Sequence, residues 1–105
     1  MFNIIARRTL LEYCERHKDA SSALQLWYHK LQKLDIHNFN ELKSEFPSAS
    51  IINDDRVVFN ICGNRYRLVV RISFEFKAIQ IKWFGKHADY NRINVATIKF
   101  KKNEI

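Results

Sequence analysis

Late in the chain stands "WFGKHADY", residues 83 to 90, which places Lys86, His87 and Tyr90 within one short stretch. Imidazole titrates near neutrality, and a phenol can give or take a proton. Upstream, "RYRLVVRI", residues 65 to 72, sets Arg65, Arg67 and Arg71 at even spacings. Proton carriers beside a guanidinium suit one reaction in particular. When an RNA 2′-hydroxyl attacks its own adjacent phosphate, protons must move and the extra negative charge on phosphorus must be stabilised. Taken alone, His87 also reads as an ordinary surface histidine, one of four in the chain. His17, His29 and His37 fall in or beside the helical region and are given no role.

Other chemistries have no support. There is no glycine-rich phosphate loop, no Gly-x-Ser-x-Gly elbow and no His-Glu-x-x-His. Cys14 and Cys62 lack metal spacing and form no disulfide framework, so reduced thiols in a cytoplasm are expected. Asp54 and Asp55, in "NDD", read as turn residues ahead of a strand. No metal site and no cofactor are expected.

The elements that must position these residues follow from periodicity. "RVVFNI" (56 to 61), the arginine-bearing stretch and "AIQIKWFG" (78 to 85) alternate with the period of a strand. "CGN" between the first two marks a tight turn, with Gly63 and Asn64 as residues that tolerate positive φ. Three strands joined by short turns predict an antiparallel meander. Its apolar face would collect Val57, Phe59, Ile61, Tyr66, Leu68, Val70, Ile72, Ile79, Ile81 and Trp83. Its other face would collect Arg56, Asn60, Arg65, Arg67, Arg71, Gln80 and Lys82, with Val58, Val69 and Phe84 on the same side. Lys86, His87 and Tyr90 would then curl over one end of that basic face.

The N-terminal part is helical in texture. "FNIIA" predicts a short strand, and Leu10, Leu11, Cys14 and His17 follow at helical spacing. Asp19 or Ser21 could cap a second helix whose stripe is Leu24, Trp27, Tyr28, Leu31 and Leu34. "FNELKSEF" predicts one or two further turns ending before Pro47. The fold class is therefore α+β: N-terminal helices on one face of a small antiparallel sheet, with a basic opposite face.

Length and charge agree with that picture. The chain's 105 residues suit one domain, residues 1–105, with a loose charged tail from about residue 100. Lys and Arg number 18 against 11 Asp and Glu, a net charge of +7, which favours a polyanionic partner such as nucleic acid. No apolar run is long enough for a spanning helix, and no secretory or lipidation signal is evident, so no membrane partner is expected. A basic face with interleaved rings can hold single-stranded RNA. Lysines and arginines placed there for solubility alone are the plain alternative.

"PSASIINDDRVVFNICGNRYRLVVRI", followed by "IKWFGKHADY", resembles the HigB toxins of bacterial toxin–antitoxin pairs, within the RelE-like superfamily. The likeness extends from about Trp27 to Ile98 and is strongest between Phe46 and Tyr90. It implies a RelE-like fold and a metal-independent endonuclease that cuts mRNA in the ribosomal (30S) A site. It further implies a co-expressed HigA-like antitoxin carrying a helix-turn-helix domain. Arg67 matches the strand arginine that stabilises the transition state, and Tyr90 the late tyrosine implicated in proton transfer. His87 stands where relatives often carry arginine, and serves as a phosphate clamp when charged or as an acid or base when neutral. Arg56, Arg65, Arg71, Lys82 and Lys86 are the expected RNA-binding residues. Some relatives carry lysines on the strand before the arginine strand, where this chain has Val58 and Asn60. Two other readings stay open: a toxin of this scaffold acting on a target such as gyrase, and an RNA-binding module without chemistry.

Overall fold

In the computed structural model, described over residues 2–5, 7–53 and 55–98, the chain alternates between a helical layer and a sheet. Strand β1 (Asn3–Ile5) leads into α1 (Arg7–Arg16), a 3-10 turn (Lys18–Ala20), α2 (Ser21–Lys33) and α3 (Phe39–Glu45). Strands β2 (Ser50–Ile51), β3 (Arg56–Ile61), β4 (Tyr66–Ser73) and β5 (Ala78–Lys86) follow, and α4 (His87–Tyr90) leaves β5 directly. Asp54 and the tail expected to be loose lie outside the described residues.

The expected meander is present: β3, β4 and β5 pair antiparallel. The sheet as a whole is mixed, with order β1-β5-β4-β3-β2, because β1 runs parallel to β5. That corrects the purely antiparallel expectation. The physical reason is topological: β1 reaches its partner through the helices and the other strands, and only a long connection permits parallel pairing.

Helix α2 buries Leu24, Trp27 and Leu31 on one stripe, as its spacing predicts. Helix α1 buries Leu10, Tyr13 and Cys14 and leaves Leu11 48% exposed, so its inward face is rotated from the expected one. Neither Asp19 nor Ser21 caps α2; Ala20 stands at the cap position, and its side chain can accept nothing. Asp19 is turned toward the sheet instead. Helix α3 is capped. At its N-terminus the Asn38 side-chain Oδ1 accepts from the Glu41 N–H at 2.9 Å, and the Glu41 carboxylate accepts from the His37 N–H at 2.8 Å. The helix stops at Glu45, two residues ahead of Pro47.

Between the layers, Val57, Phe59, Ile61, Leu68, Val70, Ile72, Ile79 and Ile81 form one core with the helical residues. Phe59 is held edge-on between Trp27 and Phe46, with ring centroids at 5.4 and 5.0 Å. Burying a side chain of this size contributes about 1.5–3 kcal/mol.

Two local features set the geometry of the sheet's other face. The turn after β3 uses positive φ at Cys62 (56°) and Gly63 (67°), not at Asn64 as expected. Asn64 is left to serve as a side-chain acceptor. The second feature is a β-bulge. Val69 pairs with Trp83 but Val70 pairs with Ile81, so Lys82 is an extra residue in β5. One inserted residue reverses the facing of everything after it. Phe84, expected on the basic face, turns into the core at 7% exposure. Trp83, expected in the core, turns out onto the basic face.

Candidate functional site

Register defines the outward face as three rows across the strands. Asn60, Arg67 and Gly85 form the first, Val58, Val69 and Trp83 the second, and Arg56, Arg71 and Gln80 the third. The middle row is apolar, and Val58 and Val69 are buried. The face is therefore two polar rows flanking an apolar one, rather than a continuous basic surface.

The first row adjoins the residues with proton-transfer capacity. Arg67 donates to the Tyr66 carbonyl at 3.2 Å, and its guanidinium also approaches the Asn64 carbonyl (3.4 Å) and Asn64 Oδ1 (3.5 Å). These contacts hold the guanidinium toward the β3–β4 turn. On the neighbouring strand, β5 runs past Gly85 to Lys86 and becomes α4. The His87 N–H donates to the Arg65 carbonyl at 3.0 Å, which closes the ladder and fixes the start of that single helical turn. His87 and Lys86 are exposed and line a cavity of about 370 Å³ with Asn64, Arg65 and Tyr66. Tyr90, one helical turn on, is half-buried, and its ring lies 6.2 Å from that of Trp83 at 49°.

Arg65 is not on the outward face. It belongs to the turn, outside β4, and its guanidinium reaches toward the helical layer to pair with Asp19 at 3.2 Å. Asp19 also accepts from the Tyr66 hydroxyl at 2.8 Å. That hydrogen bond, helped by Arg65, holds the Asp19 carboxyl below its ordinary range; the same bond raises the Tyr66 phenol, with Arg65 opposing. The Asp19–Tyr66–Arg65 cluster thus ties the turn between α1 and α2 to the strand that carries Arg67.

The third row lies four residues along β4 from Arg67, or about 13 Å at the rise of a strand. Arg56 and Arg71 sit directly opposite one another, a repulsive arrangement unless each is neutralised. Arg71 pairs with Asp55 at 2.7 Å, and Arg56 donates to the carbonyls of Val95 (3.1 Å) and Ile98 (2.6 Å). Arg56 therefore ties down the C-terminal segment. Lys82, the bulge residue, is half-buried between the rows. Of the expected site residues, then, Arg67, Lys86, His87 and Tyr90 gather at one end with Arg65 beside them, while Arg56 and Arg71 stand at the other.

Sequence reasoning missed three residues at the first end. Asn64 holds Arg67. Trp83 lies over Gly85, where an added Cβ would fall 2.7 Å from the ring. His17, at the end of α1, packs edge-on against Tyr66 and Phe84 at 5.2 and 5.3 Å. Burial there lowers its pKa, with Lys86 and Arg16 acting in the same direction and Asp19 opposing them. The available signal was Gly85: a glycine inside a strand marks a bulge or a close approach.

Among the described residues, no group of three or more His, Cys, Asp or Glu side chains could hold a metal ion. No described helix is long and apolar enough to cross a membrane. No disulfide joins Cys14 and Cys62. The family model for HigB toxin, the RelE-like toxic component of a toxin–antitoxin system, matches residues 20–93. The chain belongs to the HigB toxin family. A toxic component of such a pair implies an antitoxin partner. The matched span contains Arg67, Trp83, Lys86, His87 and Tyr90; Arg16 and His17 precede it. No curated protein matches the sequence.

Proposed function

We propose that this HigB-family toxin is a ribosome-dependent mRNA endonuclease that arrests translation by cutting the message in the A site. The 2′-hydroxyl of the RNA attacks the adjacent phosphorus, the P–O5′ bond breaks, and the products carry a 2′,3′-cyclic phosphate and a 5′-hydroxyl. One proton leaves the 2′-oxygen and one reaches the 5′-oxygen. His87 and Tyr90 are the groups assigned to those transfers, with no metal taking part. Arg67, permanently charged, stabilises the phosphorane-like transition state.

The observation that carries this reading is the first row of the face. Arg67 stands opposite Gly85, two residues before His87, so the guanidinium and the proton carriers share one end of the sheet. Lys86 and Arg65 supply charge for flanking phosphates. Arg71 can join them, since its exposed pair with Asp55 is worth no more than about 1 kcal/mol and an RNA phosphate can compete for it. Lys82 adds charge at mid-face. Arg56, already bonded to carbonyls, acts on RNA chiefly by holding the C-terminal segment. The cognate antitoxin, with a helix-turn-helix domain, keeps the toxin inactive.

The test is primer extension on a message incubated with the toxin, with and without purified ribosomes holding a vacant A site. Cuts at A-site codons that vanish when ribosomes are omitted are expected. Translation arrest with intact message points to RNA binding without chemistry. Inhibition of gyrase without any cut points to a different target on the same scaffold.

A further inference from the structure

Strand β1 covers β5 only at Ala78–Gln80, so beyond Gln80 that edge of β5 has no strand neighbour among the described residues. A cavity of about 590 Å³ opens there, lined by Arg16, His17, Trp83, Gly85, Lys86 and Asp89. Its volume falls in the range of small-ligand sites. Phe84 backs it from the core, and the rest of its lining is one half-buried indole, two cations, one imidazole and one acid.

We propose that Trp83 is the platform on which a single unpaired RNA base stacks, with Arg16 and Lys86 holding that nucleotide's phosphate. The inference deepens the endonuclease reading and rests on its RNA substrate. Three observations support it. The Lys82 bulge turns a tryptophan out of the core onto the sheet's outward face, where its half-buried ring borders the cavity. Gly85 provides the seat, since a side chain there would collide with the ring at 2.7 Å. Arg16 and Lys86 are exposed on the same cavity, and neither forms an ion pair among the described residues. Asp89 offers only acceptors, so it repels phosphate and favours the N–H groups on a base edge. Every base has a π-face, and stacking strength sets the preference, so purines bind better than pyrimidines.

The chain has two tryptophans, and Trp27 is buried with its indole N–H unpartnered, so Trp27→Phe removes the other fluorophore without breaking a hydrogen bond. In that background, 2′-O-methyl oligoadenylate, which cannot be cut by 2′-hydroxyl attack, should quench Trp83 saturably and more tightly than oligouridylate. Trp83→Leu, with binding read by anisotropy of labelled oligoadenylate, should weaken affinity about tenfold. Trp83→Phe should keep most of it. Gly85→Ala, which unseats the ring without removing it, should weaken binding in the same direction. Absence of quenching up to millimolar RNA overturns the proposal, as does Trp83→Leu binding within twofold of the parent. The two readings fail separately. Quenching without ribosomal cleavage leaves the platform and removes the nuclease, whereas cleavage with Trp83→Leu affinity unchanged does the reverse.

Discussion

Truncating Phe84 and truncating Trp83 should have very different costs, and the difference tests the bulge that organises this face. A strictly alternating β5 would put Trp83 in the core and Phe84 outside. The structure reverses them. Phe84 is 7% exposed and packs against three rings: stacked on Tyr66 at 5.2 Å, tilted on Tyr13 at 5.0 Å, and edge-on to His17 at 5.3 Å. Phe84→Ala should therefore cost about 3–5 kcal/mol, the range for a buried phenylalanine. Trp83 is half-buried, its ring over Gly85 and 6.2 Å from that of Tyr90, so Trp83→Ala should cost about 1 kcal/mol. Urea slopes of about 1–3 kcal/mol per molar convert the larger loss into a midpoint lower by at least about 1 M. Domains of this kind hold only about 5–15 kcal/mol in total, so Phe84→Leu should be measured alongside as a variant certain to leave a transition. Equal costs, or a larger cost at Trp83, would refute the assigned facing of β5.

Other outcomes follow from the same contacts. Asn38→Ala removes the N-cap of α3 and should lower stability by about 1 kcal/mol, read as a drop in Tm of about 4–8 °C. His17 is held below its ordinary pKa, so folding favours its neutral form. Its contribution is complete above about pH 6.5 and is lost as pH falls through the lower, folded value. Urea midpoints should thus fall between pH 7.5 and 5.5, and His17→Gln should flatten that fall. The Asp19 carboxyl is also depressed, so its share is present above about pH 4 and is lost only at more acid values, outside that interval.

Much of the fold was legible because periodicity carries it. The stripe Leu24–Trp27–Leu31 and the alternation Val57–Phe59–Ile61 need only the 3.6 and 2.0 residue repeats. Residues Lys86, His87 and Tyr90 were legible as a group because they lie within five positions at the end of a strand and just beyond it. The facing of Trp83 was not legible, because Trp83 and Phe84 are both large and apolar, so either phase looks like a core strand. Only the register past Lys82 distinguishes them, and Gly85 was the trace it left. Arg65 was misplaced by extending β4 one residue too far; a turn residue does not obey the alternation. The backbone carbonyls that accept from Arg56 lie about forty residues away, at Val95 and Ile98 after the last strand, a separation at which local pattern carries no information. Asp19, read as a helix cap, was claimed by Tyr66 and Arg65, an outcome set by tertiary distance alone.

Cleavage by the Arg67→Ala variant tests the central claim most directly. The assay is primer extension on programmed ribosomes, run beside a urea titration of the same protein. The account predicts cuts reduced by about a hundredfold or more, as when one transition-state donor is removed, with stability changed by no more than about 0.5 kcal/mol. A folded Arg67→Ala variant that cuts as well as the parent would contradict it.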